Sequence, residues 1–394
     1  MHEQLQTLPD AGTLAVVQDG STTIVGLEPD RVIRAQGVEA LAALDGLDEG
    51  WWAGFLAYDL GRAIERVPER AAADPPLPDL LLARFTKRCE LIRGPEHRRG
   101  PDAGGWRTSL DRAAHAEAVG RIAHHLYEGD CYQVNLTRRL ETDTPLDPVA
   151  LYETLRLHHP APHAALIRID DVAVVSASPE SFLRRDGAEI VTRPIKGTGT
   201  DADALVRSEK DRAENVMIVD LARNDLGRVC AYGSVTVPAL CEPEEHPGLV
   251  HLVSTVRGTL RADVSVGDII RATFPPASVT GCPKPRVLQI IESLEPVRRG
   301  VYCGAIGFID TVRNVMDLNV AIRTFTITGG KTYFGVGGGI VADSDASAEW
   351  DETELKARRL IEIASGPQTS RNLLTATAEP RAPTTIPSSV NVRP

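Results

Sequence analysis

The sequence predicts an α+β fold, in which helices and strands are mixed along the chain. Residues 13–27 are rich in Val, Ile and Thr and are punctuated by glycines, which is typical of strands. Residues 109–128 instead place their apolar side chains on one side of a helix. Such segments alternate as far as Gly366 without a strict βαβ repeat, so an α+β arrangement is favoured over a doubly wound parallel sheet.

The first part of the chain is predicted to form short strands and turns. Residues 51–58 are an aromatic and apolar run, which predicts a buried strand. Residues 93–105 are rich in Gly, Pro and Arg, and this composition predicts an exposed loop or linker. We therefore separate an N-terminal part, residues 1–107, from a larger region, residues 108–365.

Further along the chain, strand and helix patterns are followed by a polar tail. Residues 131–140 alternate apolar and polar side chains and predict a strand. One helix is predicted from about Ser208, its N-cap, to Leu226, and another begins near Ser347. Residues 366–394 are rich in Pro, Thr and Ser, which predicts a disordered tail.

Composition limits the class of protein. The chain has 394 residues and a net charge of −11, so global charge gives no support to nucleic-acid binding. Apolar runs fall short of the ~20 residues that span a bilayer, and the N-terminus lacks the pattern of a signal peptide. The six cysteines are scattered without a CxxC pair, which indicates reduced thiols in a cytoplasmic protein.

Lys196 is a candidate nucleophile. It lies between Pro194, which fixes the approaching backbone, and Gly197, which gives freedom to the residues that follow. A lysine on such a constrained turn can attack an electrophile if burial lowers the pKa of its amine. The alternative is an ordinary solvated turn lysine, since most lysines are exposed.

Two predicted helices carry acids that could bind a metal ion. Glu214 shares a helix face with apolar residues, so it needs a cation or a donor unless it lies at the edge of that face and reaches water. Glu349, Glu352 and Lys356 lie on one face of the other helix, and two carboxylates one turn apart can hold Mg²⁺. The alternative is an exposed pair between Glu352 and Lys356.

Another acid, Glu180, follows Pro179 at a predicted strand-to-loop junction. Pro179 fixes the turn, and partial burial would raise the pKa of the Glu180 carboxyl so that it could donate a proton. The alternative is an ordinary turn glutamate.

Three further features could bind an anion. Residues 278–284 place hydroxyls and a glycine before a predicted helix, and helix N-termini attract anions. The run from Gly337 to Gly339 could offer successive backbone N–H groups to a carboxylate. Arg323 lies among apolar neighbours and could bind a carboxylate through two N–H groups. The glycine run does not fit GxGxxG, which argues against a dinucleotide site.

Six long motifs, together with a weaker one at 54–62, carry a family resemblance over roughly residues 108–365. The six are Gly-Asp-Cys-Tyr-Gln-Val-Asn-Leu at 129–136, Lys-Asp-Arg-Ala-Glu-Asn at 210–215, His-Leu-Val-Ser at 251–254, Thr-Gly-Cys-Pro-Lys at 280–284, Arg-Arg-Gly-Val-Tyr-Cys-Gly at 298–304 and Asp-Glu-Thr-Glu-Leu-Lys at 351–356. The chain thereby resembles the chorismate-utilising enzymes, which include component I of aminodeoxychorismate and anthranilate synthases and the isochorismate and salicylate synthases. This resemblance implies large mixed or antiparallel sheets that form a β-sandwich core surrounded by helices. It also implies that residues 1–107 are a shortened part completing the sheets and that residues 108–365 bind chorismate.

The resemblance also implies roles for individual residues. Glu214, Glu349 and Glu352 would hold the Mg²⁺ that binds the ring carboxylate of the substrate, and Glu180 would be the general acid for the C4 hydroxyl. The implied substrate-binding residues are Gln133, His251, Thr280, Tyr302, Arg323, Gly337, Gly338, Gly339 and Lys356.

Two positions distinguish activities within this family. Isochorismate and salicylate synthases carry a water-activating lysine where this chain has Gln133, which disfavours the addition of water. Anthranilate synthases carry alanine where this chain has Lys196, the residue of the aminodeoxychorismate synthases. The resemblance therefore implies a transferase in which Lys196 attacks C2 of chorismate and ammonia then adds at C4.

The remaining implications concern partners and alternatives. Since no amidotransferase module fits in the remaining length, ammonia is expected to come from a separate glutaminase subunit. The product would serve 4-aminobenzoate and folate synthesis, and a secondary-metabolite pathway is equally compatible with the sequence. An anthranilate synthase component I is the alternative enzyme, and a non-catalytic binding or regulatory subunit is the alternative of another class.

Overall fold

A computed structural model describes residues 3–65, 67–94, 103–199, 201–246 and 249–369. The strands in these ranges are β1 (Glu3–Leu5), β2 (Leu14–Asp19), β3 (Thr22–Ala35), β4 (Trp51–Leu56), β5 (Leu80–Leu91), β6 (Arg107–Thr108), β7 (Gln133–Thr142), β8 (His163–Ile169), β9 (Val172–Ser178), β10 (Ser181–Asp186), β11 (Glu189–Arg193), β12 (Ile195–Gly199), β13 (Thr236–His246), β14 (Leu249–Thr259), β15 (Gly281–Cys282), β16 (Ala305–Asp310), β17 (Val315–Val320), β18 (Thr324–Thr328) and β19 (Lys331–Ile340). The helices are α1 (Gly37–Asp45), α2 (Gly61–Glu65), α3 (Arg112–Tyr127), α4 (Pro148–His158), α5 (Ala202–Arg207), α6 (Glu209–Gly227), α7 (Val266–Thr273), α8 (Lys284–Leu294) and α9 (Ala346–Thr369), with short 3₁₀ helices at Tyr58–Leu60 and Ala277–Val279.

Backbone pairing joins most of these strands into one continuous antiparallel ladder. Its order is β15–β7–β19–β18–β9–β8–β2–β3–β5–β4–β16–β17–β10–β11–β14–β13. The long strands β3 and β5 lie in the middle and connect two halves. Strands from the first 91 residues therefore belong to the same ladder as strands from the rest of the chain.

The two halves of the ladder pack against each other through a core built mainly from strand residues. Ala15 and Ile167 come from one half, and Phe55, Leu81 and Phe308 come from the other. These side chains are fully or almost fully buried, and burial of each large one contributes roughly 1.5–3 kcal/mol. The expected β-sandwich of an α+β fold is thereby confirmed.

Helices cover the outer faces of the sandwich. Apolar residues of α4 and α9 pack against β9, β18 and β19 in one cluster. Apolar residues of α1, α6, α7 and α8 pack on the other half in a second cluster. Helices α6 and α9 carry the acids singled out in the sequence, so each outer layer brings acidic side chains to the sheet. No helix among the described residues has the length and hydropathy to cross a membrane.

Local predictions can be compared directly with these elements. The predicted strand at residues 13–27 is a hairpin, since β2 and β3 pair antiparallel across a turn. The helix predicted from residue 109 begins at Arg112, because Asp111 is its N-cap and accepts a hydrogen bond from the Ala114 N–H at 2.8 Å. Ser208 caps α6 as predicted and accepts a hydrogen bond from the Asp211 N–H.

Two predicted loop regions fall largely outside the described residues. The predicted linker at 93–105 includes residues 95–102, which lie outside the described ranges. The same is true of residues 370–394 of the predicted tail. Residues 366–369 continue α9 beyond a break at Gly366, where φ is +69°.

Candidate active site

Lys196 lies in a β-bulge rather than on the predicted turn. Strand β12 pairs with β14 through Ile195 with Val253 and through Thr198 with His251, so Lys196 and Gly197 together oppose a single residue. Gly197 adopts a φ of +82°, which glycine tolerates without strain. A bulge of this kind redirects a side chain out of the regular alternation of a strand, and here it redirects Lys196.

The surroundings of Lys196 favour its neutral amine. The residue is half-buried, so the solvated turn lysine of the alternative interpretation is wrong. Burial lowers the pKa of the amine, although the carboxylates of Glu214 and Glu180 oppose this shift. An unprotonated amine is the form that can act as a nucleophile.

Glu180 is a buried acid between β9 and β10. It is 4% exposed, and burial raises the pKa of its carboxyl to about 7. Hydrogen bonds from the Ser278 hydroxyl and the Ile195 N–H partly offset this shift, as does the charge of Lys196. A carboxyl with a pKa near neutrality can both donate and accept a proton at the pH of the cell.

The segment that carries Ser278 is supported by a buried ion pair. The 3₁₀ helix Ala277–Val279 precedes Lys284, whose Nζ lies 2.7 Å from Asp225 Oδ2 on α6. The same ammonium donates to the Thr273 carbonyl at 2.9 Å. Lys284 and Asp225 are both at least nine-tenths buried, so this pair ties α6 and α8 together behind Glu180. Lys284 is the first residue of α8, so its ammonium makes internal contacts at the helix N-terminus that was predicted to bind an anion.

Glu214 lies on α6 close to Lys196. It is half-buried, and burial raises the pKa of its carboxyl against the opposing charges of Lys196 and Lys210. The next residue, Asn215, is fully buried and donates to the Leu252 carbonyl of β14 at 3.0 Å. Asn215 therefore fixes this part of α6 against the strand that flanks Lys196.

Helix α9 presents Glu349, Glu352 and Lys356. Glu349 is 7% exposed and accepts a hydrogen bond from the Ser344 hydroxyl at 2.6 Å. Glu352 and Lys356 form the i, i+4 pair of the alternative interpretation, with 2.6 Å between Oε1 and Nζ, and both side chains are half-exposed. Burial opposes the ionisation of Glu352, but Lys356, Lys210 and Lys196 outweigh it and hold its pKa below the usual value.

The donor set suits a hard divalent cation. A Cβ atom at Gly338 would lie 3.2 Å from Glu349 Oε2 and 3.9 Å from Glu352 Oε1, so both carboxylates converge over a glycine that leaves room for them. Glu214 lies near enough that the charge of Glu349 raises its pKa. Among the described residues, no three acidic, His or Cys side chains form a complete site. Mg²⁺ commonly takes one or two carboxylates and completes its shell with substrate oxygens and water, which these residues permit.

Gln133 offers an unsatisfied amide to the site. Its side chain is fully buried on β7, and neither amide atom has a hydrogen-bond partner among the described residues. The amide packs against Gly339, where a Cβ would come within 2.5 Å of Nε2. A buried polar group without a partner is costly, so a ligand that pairs with it gains affinity.

The predicted cradle of successive N–H groups at Gly337–Gly339 is wrong. These glycines lie in β19 and pair in regular register with Thr137, Leu136 and Asn135 of β7. Successive N–H groups of a strand point to opposite edges, so they cannot converge on one anion. The glycines instead allow neighbouring side chains to approach the backbone closely, as Glu349 does at Gly338 and Gln133 does at Gly339.

Arg323 lies in the connection between β17 and β18. It adopts a φ of +53°, and its carbonyl accepts a hydrogen bond from the Ala177 N–H at 3.0 Å. Its Nη1 lies 3.3 Å from His159 Nε2. Burial lowers the pKa of the guanidinium, and the carboxylate of Glu180 opposes that shift, so Arg323 and Glu180 share one electrostatic environment.

The other predicted substrate-binding residues border this region. His251 is buried on β14 opposite Thr198, one strand from Lys196. Thr280 is fully buried and donates to the Pro276 carbonyl at 2.9 Å. Tyr302 packs on β19, where a Cβ at Gly335 would lie 2.1 Å from its ring. These contacts hold Thr280 and Tyr302 to the scaffold, whereas the charges of Glu180, Lys196, Glu214, Glu352 and Lys356 influence one another directly.

Sequence reasoning missed several supporting residues, for an identifiable reason. Ser278 and Lys284 lay inside a recognised motif, but their partners Glu180 and Asp225 are remote in sequence. Asn215 followed Glu214 in another motif without a periodic signal of its own. His159 ends a helix, and only the tertiary structure brings it to Arg323.

Comparisons with known proteins agree with this arrangement. The model of a family described as chorismate binding enzyme matches residues 11–362. The chain is 41% identical to aminodeoxychorismate synthase component 1 of Klebsiella aerogenes in an alignment 342 residues long, which covers 78% of this chain and 76% of that protein. It is 39% identical to anthranilate synthase component 1 of Thermus thermophilus in an alignment 351 residues long, which covers 78% of this chain and 76% of that protein.

Solved structures share the fold. Anthranilate synthase component I of Streptococcus pneumoniae superposes with a TM-score of 0.77 at 25% identity, covering 86% of this chain and 92% of that one. The menaquinone-specific isochorismate synthase of Escherichia coli gives a TM-score of 0.71 at 19% identity, covering 91% and 89%, and this likeness concerns the fold alone.

Proposed function

Because the chain belongs to the family of chorismate-binding enzymes, we propose that it is an aminodeoxychorismate synthase component 1, which converts chorismate and ammonia into 4-amino-4-deoxychorismate. The observation that carries this proposal is the environment of Lys196. Its amine lies in a bulge, its pKa is lowered by burial, and it is within electrostatic reach of Glu180. A neutral amine beside a protonated carboxyl is the pair that a substitution with a poor leaving group requires.

In the first half of the proposed reaction, Lys196 forms a covalent bond to the substrate. The Lys196 nitrogen attacks C2 of chorismate, both double bonds of the ring diene shift towards C4, and the C4–oxygen bond breaks. Glu180 donates its proton to the departing hydroxyl, which leaves as water, and the Glu180 carboxylate remains. The pKa of about 7 gives Glu180 a large protonated fraction at neutral pH, so the acid is available before substrate binds.

In the second half, ammonia replaces the lysine. Ammonia adds at C4, both double bonds return to their original positions, and the bond between C2 and the Lys196 nitrogen breaks. The proton lost from the added nitrogen returns to the Glu180 carboxylate, so both side chains regain their starting forms. Two such steps divide one difficult substitution into two easier ones.

The remaining residues would bind and orient the substrate. Arg323 would bind one carboxylate group through its guanidinium, and the unpaired amide of Gln133 would contact the ligand from β7. Glu349 and Glu352, together with Glu214, would hold a magnesium ion that neutralises the charge of the ring carboxylate.

A separate glutaminase subunit is the proposed source of ammonia. The names of the similar proteins as component 1 imply a second component, and the charge of −11 argues against a nucleic-acid partner. The six cysteines are free thiols, which supports a cytoplasmic location. In this setting the product would enter 4-aminobenzoate and folate synthesis.

Product analysis is the decisive test. Purified protein is incubated with chorismate, Mg²⁺ and an ammonium salt, and the products are separated by mass spectrometry. We expect 4-amino-4-deoxychorismate, which gives 4-aminobenzoate only after a lyase is added. Anthranilate and pyruvate formed without the lyase would identify an anthranilate synthase instead. This is the activity named for the similar protein of Thermus thermophilus. No turnover at all would favour a non-catalytic binding subunit.

A further inference from the structure

Arg323 is fixed at its backbone but carries a long side chain that needs support of its own. Its positive φ is a conformation that residues other than glycine rarely adopt. The hydrogen bond from the Ala177 N–H ties its carbonyl to β9, the strand that leads to Glu180. These restraints place the Cα atom, whereas the guanidinium retains several rotatable bonds.

His159 supplies that support from the end of α4. It is the C-cap residue of the helix, and its N–H donates to the Leu155 carbonyl at 2.7 Å. Its Nε2 lies 3.3 Å from Nη1 of Arg323. A guanidinium can only donate hydrogen bonds, so Nε2 must accept and the ring proton must lie on Nδ1.

The surroundings of His159 favour this neutral form. Burial lowers the pKa of the imidazole to about 4, and the guanidinium groups of Arg323 and Arg359 act in the same direction. Arg323 approaches from the β17–β18 connection, and Arg359 belongs to α9. Since protonation would add a third positive charge to this cluster, the imidazole keeps its acceptor at neutral pH.

We propose that His159 is a positioning residue, whose neutral imidazole holds the Arg323 guanidinium in the orientation that binds a substrate carboxylate. The inference rests on the proposed function, because it assigns Arg323 to a carboxylate of chorismate. One N–H of the guanidinium is taken by the imidazole, and the others stay available for a bidentate contact.

The alternative partner of Arg323 explains why positioning matters. Each of the Glu180 and Arg323 side chains changes the pKa of the other, so they lie within electrostatic reach. Without the imidazole, the guanidinium can rotate towards the Glu180 carboxylate and lose its pre-organised geometry. Ordering a free arginine again on binding costs affinity, which appears in KM more than in kcat.

The test compares His159 with its neighbour His158. His158 is exposed at the end of the same helix, so His158→Ala controls for the loss of an imidazole there. We expect His159→Ala to raise the KM for chorismate about tenfold with kcat within about twofold, because a hydrogen bond to a charged group is lost. His159→Gln retains an acceptor near the position of Nε2 and should restore KM to within about threefold of wild type. His158→Ala should match wild type.

A double-mutant cycle with Arg323→Ala completes the test. If His159 acts through Arg323, His159→Ala adds no further increase in KM in the Arg323→Ala background. An equal increase in both backgrounds, an unchanged KM in His159→Ala, or a loss confined to kcat overturns the proposal. Should His159→Ala be unstable, His159→Phe fills the space without an acceptor and is scored in the same way. Failure of the proposed function is distinct, since wild type itself would then form no aminodeoxychorismate.

Discussion

The proposed roles of Lys196 and Glu180 require opposite changes in their ionisation, and one physical cause supplies both. In the proposed reaction the lysine would have to lose its proton to attack, whereas the glutamate would have to keep its proton to donate it. Removal of water disfavours the charged form of each, so the pKa of Lys196 falls and the pKa of Glu180 rises to about 7. Their mutual attraction opposes both shifts.

Replacement of the nucleophile provides a direct test at this scale. Lys196→Ala should slow formation of aminodeoxychorismate by at least about a thousandfold, because no other group supplies the covalent route. Lys87→Ala is the control, since Lys87 is a half-exposed lysine that pairs with Glu3. Rates and products are measured in the ammonium assay, and anthranilate is measured too because direct attack at C2 would form it. A rate like that of wild type in Lys196→Ala contradicts the covalent route.

The raised pKa of Glu180 also predicts how stability depends on pH. The folded protein binds the Glu180 proton more tightly than the unfolded chain does, so the free energy of unfolding falls as pH rises from about 4.5 towards 7. Glu180→Gln removes this dependence and should be more stable than wild type at pH 8 by about 3 kcal/mol. The melting temperatures of wild type and Glu180→Gln are compared at pH 5 and at pH 8. If the two proteins differ by the same amount at both pH values, the raised pKa of Glu180 is contradicted.

The sequence singled out these two residues but not the structure around them. Lys196 and Glu180 stood out because each lies in a short segment that contains a proline. The bulge at Lys196 depends on pairing with Val253 and His251, more than fifty residues away, and no local pattern encodes that register. The hydrogen bond from Ser278 to Glu180 was hidden for the same reason.

At the scale of elements, the buried pair between Lys284 and Asp225 joins two helices behind the site. Lys284→Met should destabilise the protein by about 3–5 kcal/mol, because it leaves the Asp225 charge buried without its partner. Lys331→Met is the matched control, since its pair with Asp143 is exposed and should change stability by less than about 1 kcal/mol. Melting temperatures measure both effects. A double variant, Lys284→Met with Asp225→Leu, should recover part of the loss, and no recovery would contradict the assignment.

Helices were the elements that the sequence predicted best. The N-cap Ser208 and the acidic face of α9 follow from spacing within a few residues, and such local patterns survive folding. The Gly337–Gly339 segment was predicted to offer successive N–H groups to an anion because glycine permits many conformations. Its regular pairing with β7 keeps these residues extended, which is a tertiary effect.

At the scale of the whole molecule, the α+β class was predictable and the order of the strands was not. Class follows from the mixture of periodicities along the chain. Strand order requires knowledge of which distant segments pair, as β2 does with β8 and β4 does with β16. Pairings of the same kind place Gln133 of β7 beside Gly339 of β19 and place Lys196 of β12 beside β14.

The pairing of β4 with β16 has a consequence for biosynthesis of the protein. Trp51–Leu56 leaves the ribosome long before Ala305–Asp310, so the centre of the ladder has an open edge for most of translation. Strands β2, β3 and β5 can meet early, but the core that they share with β16 and β17 is completed only when the last third of the chain emerges. Nascent chains are therefore expected to depend on chaperones, and truncation within the final strands should yield aggregates rather than partly active enzyme.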